Sequence, residues 1–220
     1  MKKILIVATN RDHYDETHKT GLWLEEYAVP YTDLQSDGHV VVVASPMGGS
    51  CPIDPVSMPE EVPSEWNDAV NALKNTARLS EVDYSQYDAI VLPGGHGPLF
   101  DLANDAVLAK ILGDFDADNR VIAAVCHGSA GLVKAIRRDG KPLVAGKKLT
   151  GFTNEEEKIV QLDQLVPFAL ESKLRDLGAY YIASDPWADY VVVDGNLITG
   201  QNPQSTASFS KAILKALSEG

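Results

Sequence analysis

Short apolar runs separated by longer mixed stretches set the pattern of this chain. Residues 4–8, 39–44, 87–93 and 120–125 are dense in Val, Ile, Leu and Ala, as strands buried on both faces of a parallel sheet are. Between them lie stretches with helical spacing. In 20–37, Leu22, Trp23, Tyr27 and Leu34 can line one face, and Pro30 is expected to kink or restart the helix. In 59–79 the apolar positions are Trp66, Val70 and Leu73, and 104–118 is a third helix. Further on, a helix opens at 153–157, and 167–177 and 205–217 are helical. Residues 143–146, 148–153, 180–183, 190–194 and 197–199 read as strands or fragments, with Asp194-Gly195 turning the last two. Segments 9–19 and 45–57 are loops, the second punctuated by Pro46, Gly48, Gly49, Pro52 and Pro55.

Strands alternating with helices predict an α/β fold: a mostly parallel sheet sandwiched by helices, flavodoxin-like and three-layered, with residues 1–220 as a single domain. Such sheets bind ligands beyond the C-terminal ends of their strands. Three segments follow apolar runs there: 9–26, the loop Gly94-Gly95-His96-Gly97, and Cys126-His127.

Composition narrows the partners. The 31 acidic residues outnumber 19 basic ones for a net charge of −12, which argues against nucleic acid or an anionic membrane. Hydrophobic residues make up 45% of the chain, an ordinary globular content. Residues 4–8 are too short for a signal h-region or a membrane span. Cys51 and Cys126 show no pairing pattern, so a reducing cytoplasm is the expected compartment, with Cys51 at the surface.

The chemistry concentrates at 121–132. A strand ending at Val125 runs into Cys126-His127-Gly128-Ser129-Ala130-Gly131, small residues suited to a helix start packed close to the strand and expected to continue to about residue 138. This is a nucleophile elbow with sulfur in place of a hydroxyl. The free N–H groups of a helix start favour thiolate over thiol. Backbone N–H groups of the Gly94–Gly97 loop and of His127 can form an oxyanion hole, worth about 3–4 kcal/mol per well-placed donor. Glu25 and Glu26 lie in an apolar stretch and cannot both face inward, so either is a candidate for a buried carboxyl of raised pKa. The run Glu155-Glu156-Glu157 reads as a solvated helix start, one member of which can orient His127. Adjacent Cys and His make poor zinc spacing, and His13 and His18 stand apart in a polar loop. With no phosphate-loop or dinucleotide motif either, neither metal nor cofactor is expected.

Several motifs together resemble the ThiJ/PfpI superfamily, with its class I glutamine amidotransferase-like fold. They are Ala124-Val125-Cys126-His127-Gly128, Leu92-Pro93-Gly94-Gly95-His96-Gly97, and Gly21-Leu22-Trp23-Leu24-Glu25-Glu26 followed by Pro30. Ser45-Pro46-Met47-Gly48-Gly49, Thr150-Gly151-Phe152-Thr153-Asn154-Glu155-Glu156-Glu157, Pro186-Trp187 and Thr199-Gly200-Gln201-Asn202-Pro203 are similar to its heat-inducible chaperone/glyoxalase III branch. The resemblance implies that Cys126 is the nucleophile, His127 and Glu157 complete a triad, and Glu26 is the buried protonated acid. Gly95 and His127, with Gly94 beside them, would supply the oxyanion donors. The sequence departs from the family at Val29, often His, and at Asn154, often Asp, two positions that bear on the substrate pocket.

The implied activity is glutathione-independent conversion of 2-oxoaldehydes such as methylglyoxal to 2-hydroxy acids such as lactate. It would run through a Cys126 hemithioacetal, as in a lactate dehydratase-type lyase, and extend to deglycation. The competing expectations are a cysteine amidase or peptidase, and a stress-induced holding chaperone for unfolded clients or a redox sensor working through Cys126. The branch also implies a homodimer.

Overall fold

The computed structural model describes residues 1–219. A seven-stranded sheet forms its centre: β1 (Lys3–Val7), β2 (Val40–Ser45), β3 (Ala77–Arg78), β4 (Ala89–Leu92), β5 (Val121–Val125), β8 (Val191–Asp194) and β9 (Leu197–Gly200). The spatial order is β3-β2-β1-β4-β5-β9-β8, every pair parallel except β8–β9. The parallel strands read as continuous apolar runs because both faces are covered: Ile4 to Val7, Ala89 to Leu92 and Ile122 to Val125 are all buried. Helices α1 (Leu24–Ser36), α2 (Asn67–Ala72), α3 (Ala106–Ala117), α4 (Asn154–Ile159), α5 (Leu170–Asp176) and α6 (Thr206–Glu219) flank the sheet. Helices α1, α2 and α6 pack together, while α3 packs on β5. The short pair β6 (Lys148–Leu149) and β7 (Tyr180–Tyr181) lies outside the main sheet. No helix among the described residues is long and apolar enough to cross a membrane.

The chain builds β1, β2 and β3 in one direction and then returns to add β4 and β5 on the other side of β1. The order therefore reverses between β1 and β4, and the loops leaving their C-terminal ends diverge to open a crevice. The three segments singled out in the sequence meet at this crevice.

Several expected elements differ. Pro30 lies inside a continuous α1 and does not restart it; it forgoes the hydrogen bond to the carbonyl of Glu26. The helix expected over 59–79 shrinks to a 3-10 turn at Ser64–Trp66 and the six residues of α2, followed by edge strand β3. Residues 143–146 form turns. After Cys126 comes a 3-10 segment, Cys126–Leu132, and no helix continues to 138. Gly128 explains the tight winding: a Cβ there would lie 2.1 Å from the carbonyl oxygen of Leu92 in β4. A Gly128→Ala variant is expected to lose at least about 3 kcal/mol of stability in urea unfolding, since a backbone atom cannot step aside as a side chain can. Wild-type stability in that variant would refute the close contact.

Candidate active site

Cys126 sits at the end of β5 with φ 56°, a left-handed conformation rare outside glycine. This turn lifts the thiol out of the sheet edge towards the crevice while leaving the residue 4% exposed. Its Sγ lies 3.4 Å from His127 Nδ1. The opposite ring nitrogen, Nε2, is 2.6 Å from Glu157 Oε2, and the other oxygen, Oε1, is 2.7 Å from His96 Nε2. His96 stacks on His127 with centroids 3.9 Å apart, and Phe152 lies 4.4 Å from the same ring. With Glu157 ionised, both imidazoles donate their Nε2–H, which leaves His127 Nδ1 free to accept a proton from the thiol.

Behind the thiol lies Glu26, fully buried in the first turn of α1, while Glu25 is exposed. The open choice between the two carboxylates is thereby decided. The carboxyl of Glu26 faces the Cys126 side chain and the Gly94 N–H, but neither oxygen makes a hydrogen bond of full geometry. A Cβ on Gly94 would come within 2.3 Å of Glu26 Oε2 and 2.8 Å of Cys126 Cβ, so only glycine admits the acid this close to the sulfur. Gly95, at φ 88°, backs onto residue 21: a Cβ there would fall 2.3 Å from the Gly21 carbonyl. Trp23 N–H donates to the Gly94 carbonyl and Gly97 N–H to that of Gly21, so the start of α1 and the glycine loop brace each other.

Burial dominates the electrostatics. It pushes Glu26 up to about 8, so this carboxyl keeps its proton at neutral pH. Burial, with Glu26 adding to it, raises the Cys126 thiol well above its ordinary range. The sequence suggested the opposite, a resting thiolate, because an α-helical N-terminus was expected where a buried 3-10 segment stands. The sulfur therefore rests as a thiol and needs a base when substrate arrives, and the nearest candidate is His127 Nδ1. Burial also opposes the charge on Glu157, but the charge and hydrogen bond of His127 and the hydrogen bond from His96 outweigh it. Glu157 is held well below the usual carboxylate range.

The acidic run does not form a solvated face. Glu155 is exposed, but Glu156 and Glu157 are buried. Glu156 takes the Thr153 N–H and hydroxyl on Oε2, and Trp187 N–H with the Gln201 and Asn202 amides on Oε1. It ties α4 to the segment carrying Trp187, itself at φ 64°. The Thr-x-x-Glu capping pattern from 153 to 156 is the sequence signal for this role. His96, absent from the sequence-derived triad, was visible there only as the odd residue in a glycine loop. Cys51 is buried beside Thr76 and not at the surface, because its loop folds back under β2 and β3. His13 and His18 each pair with a neighbouring carboxylate, Asp12 and Asp15.

A cavity of about 910 Å³ opens above the thiol, within the usual range for small-molecule sites. Cys126, His127, His96 and Gly95 form its polar end, and Trp23, Phe152 and Trp187 lie among its aromatic walls. Gly94 sits behind the lining, against Glu26. Neither Val29 nor Asn154 borders the cavity, so the two departures from the family pattern do not alter its walls. The group able to hold a metal is His96, His127 and Glu157, whose ligand atoms lie within 4.8 Å of one another. Their arrangement suits hydrogen bonding better. Each ring's Nε2 is already paired with a separate oxygen of Glu157.

Comparison with known proteins identifies the relatives of this chain. The profile of the DJ-1/PfpI family matches residues 19–216. The glutathione-independent glyoxalase HSP31 of Saccharomyces cerevisiae is 32% identical over 98% of both chains. Among solved structures, the 24 kDa Rapid Encystment Protein of Francisella tularensis is 40% identical with a TM-score of 0.94, covering 99% of each chain. Glyoxalase III from Candida albicans is 30% identical with a TM-score of 0.87, covering 98% of this chain and 97% of that one.

Proposed function

We propose that this chain, which belongs to the DJ-1/PfpI family, is a glutathione-independent glyoxalase that converts 2-oxoaldehydes such as methylglyoxal to 2-hydroxy acids. The observation that carries the reading is a buried thiol flanked by a base on one side and a neutral carboxyl on the other, at the floor of an aromatic-walled cavity. Isomerising an oxoaldehyde requires a nucleophile for C1 and a group that both takes and returns a proton, and these residues supply both.

Cys126 Sγ adds to the aldehyde carbon as its proton passes to His127 Nδ1, giving a hemithioacetal. Glu26 gives its proton to the C1 alkoxide, and the carboxylate so formed removes the C1 proton while His127 returns its proton to the C2 oxygen, giving an enediol. Glu26 then delivers a proton to C2 and recovers that of the C1 hydroxyl, leaving the thioester of the 2-hydroxy acid. Carbon C1 is thereby oxidised and C2 reduced, with no external electron acceptor. Water then cleaves the thioester, releasing lactate from methylglyoxal and restoring the thiol. The N–H groups of Gly95 and His127 border the position of the developing oxyanion. Glu157 keeps the His127 tautomer correct, as the acid does in a Ser-His-Asp triad.

The expected result is that purified protein converts methylglyoxal to lactate without glutathione, measured by enantiomer-resolved lactate assay. No turnover by protein with Cys126 shown to be reduced would remove the reading. Amide hydrolysis, which the same triad can perform, would then lead, and ammonia release from model amides would test it. Deglycation of early aldehyde adducts falls within the same chemistry. The setting we infer is a cytoplasmic homodimer, for which sedimentation of the protein reads the assembly. Any holding of unfolded clients would survive Cys126→Ser in an aggregation assay if it is independent of the chemistry.

A further inference from the structure

The relay from thiol to imidazole to carboxylate has a fourth member that the triad does not account for. We propose that His96 is a positioning residue: by donating its Nε2–H to Glu157 Oε1 it fixes Oε2 on His127, and so holds the base of the reaction in register with Cys126. The proposal rests on the glyoxalase reading for its substrate, but the geometry stands without it.

Each oxygen of Glu157 is claimed by one imidazole, at 2.7 Å and 2.6 Å. Among the described residues no other side chain donates to this carboxylate. Glu157 is carried by α4, a helix of six residues far along the chain from β4 and β5, so its rotamer needs a stop from elsewhere. His96 provides one because its own loop cannot move. Gly95 is wedged against Gly21, a Cβ on Gly97 would lie 2.6 Å from the Thr9 side chain, and the Gly97 N–H is bonded to the Gly21 carbonyl. Its ring also stacks on His127, so the two imidazoles keep a common tilt towards the carboxylate.

The charge states suit the role. Burial, with His127 beside it, lowers His96 to about 4, so it is a neutral donor at working pH and does not cancel the charge of Glu157. The other titratable groups around it leave the hydrogen bond alone. The Tyr14 ring lies 5.2 Å from His96, with its phenol kept neutral by burial. Asp54 is engaged by Thr20 and the Val56 N–H, and Cys126 lies on the far side of His127.

The test compares His96→Phe, which keeps the stack and removes the donor, with His96→Gln, whose amide nitrogen can reach Glu157. H96F is expected to lower kcat for methylglyoxal at least tenfold with KM changed less than threefold. H96Q is expected to return kcat to within threefold of wild type. A substrate-free readout runs in parallel: mass-resolved alkylation of Cys126 by iodoacetamide at pH 7, expected to slow at least fivefold in H96F and to recover in H96Q. Wild-type kcat and alkylation in H96F, or an H96Q as impaired as H96F, would overturn the proposal. If H96F does not fold, His96→Asn replaces it, its amide being one carbon too short to reach Glu157. If the wild type fails to turn over methylglyoxal while alkylation follows the expected pattern, the glyoxalase reading fails and the role of His96 stands.

Discussion

Replacing Cys126 by Ser is expected to lower kcat/KM for methylglyoxal by at least about 10⁴-fold, a loss of about 5.5 kcal/mol of transition-state stabilisation. The proposed reaction needs a hemithioacetal and then a thioester, and both require sulfur. A serine hydroxyl at the same position is a far weaker nucleophile, and His127 Nδ1 would have to draw a much less acidic proton across the same gap. Stability should stay within about 1 kcal/mol of wild type, since the substitution changes one buried atom and leaves the left-handed backbone at this position as it was. Activity and stability therefore separate. Lactate formation and thermal unfolding, measured on the same preparation, check both halves. Turnover by Cys126→Ser within tenfold of wild type would mean that the substrate reacts elsewhere.

Why the sulfur could be picked from sequence, and its charge state could not, follows from what each depends on. The apolar run 121–125 fixed a buried strand, and the small residues after Cys126 required a close approach to β4, now seen as Gly128 against the Leu92 carbonyl. Both are local facts, legible at short range. The charge of the thiol depends on what surrounds it in three dimensions. The winding after Cys126 is 3-10 and buried, and the acid behind it comes from a helix a hundred residues earlier in the chain. Local reading supplied a helix dipole; the tertiary structure supplies desolvation, which raises the thiol.

The acidic run at 155–157 shows the same limit. Three consecutive glutamates at a helix start fit a solvated face by charge alone. Two of them instead point inward, where buried donors need acceptors. The Trp187 N–H, the Gln201 and Asn202 amides and two imidazoles are those donors. They are scattered from residue 96 to residue 202, so no window of sequence presents them together. His96 escaped notice for the same reason: its partner is 61 residues away. The family resemblance points to Glu157 and Glu26, since a motif shared across a family carries tertiary information that periodicity lacks.

Glu26→Gln is expected to lower turnover about 10²–10³-fold and to make the protein more stable as pH rises. A glutamine cannot take the proton from C1 and return one to C2, so the catalytic loss should lie in kcat. The stability effect follows from linkage. In the unfolded chain this carboxyl titrates near 4.5, and in the folded protein at about 8. Between those values the folded state binds more protons than the unfolded state, so each step up in pH favours unfolding. Relative to acid conditions, wild type therefore gives up about 3 kcal/mol by pH 7 and about 5 kcal/mol above pH 8. The glutamine variant carries no such penalty. The difference in unfolding free energy between the two proteins should be flat below pH 4.5, climb through neutrality and level off above 8. At pH 7 the corresponding rise in Tm is about 6–12 °C relative to the difference at pH 4.5. Urea unfolding at four pH values reads the curve directly. A difference that does not change with pH would mean that Glu26 is ionised in the folded protein, and a neutral acid beside Cys126 could not then be part of the mechanism. The burial that destabilises the fold at neutral pH is the same burial that leaves a proton within reach of the thiol.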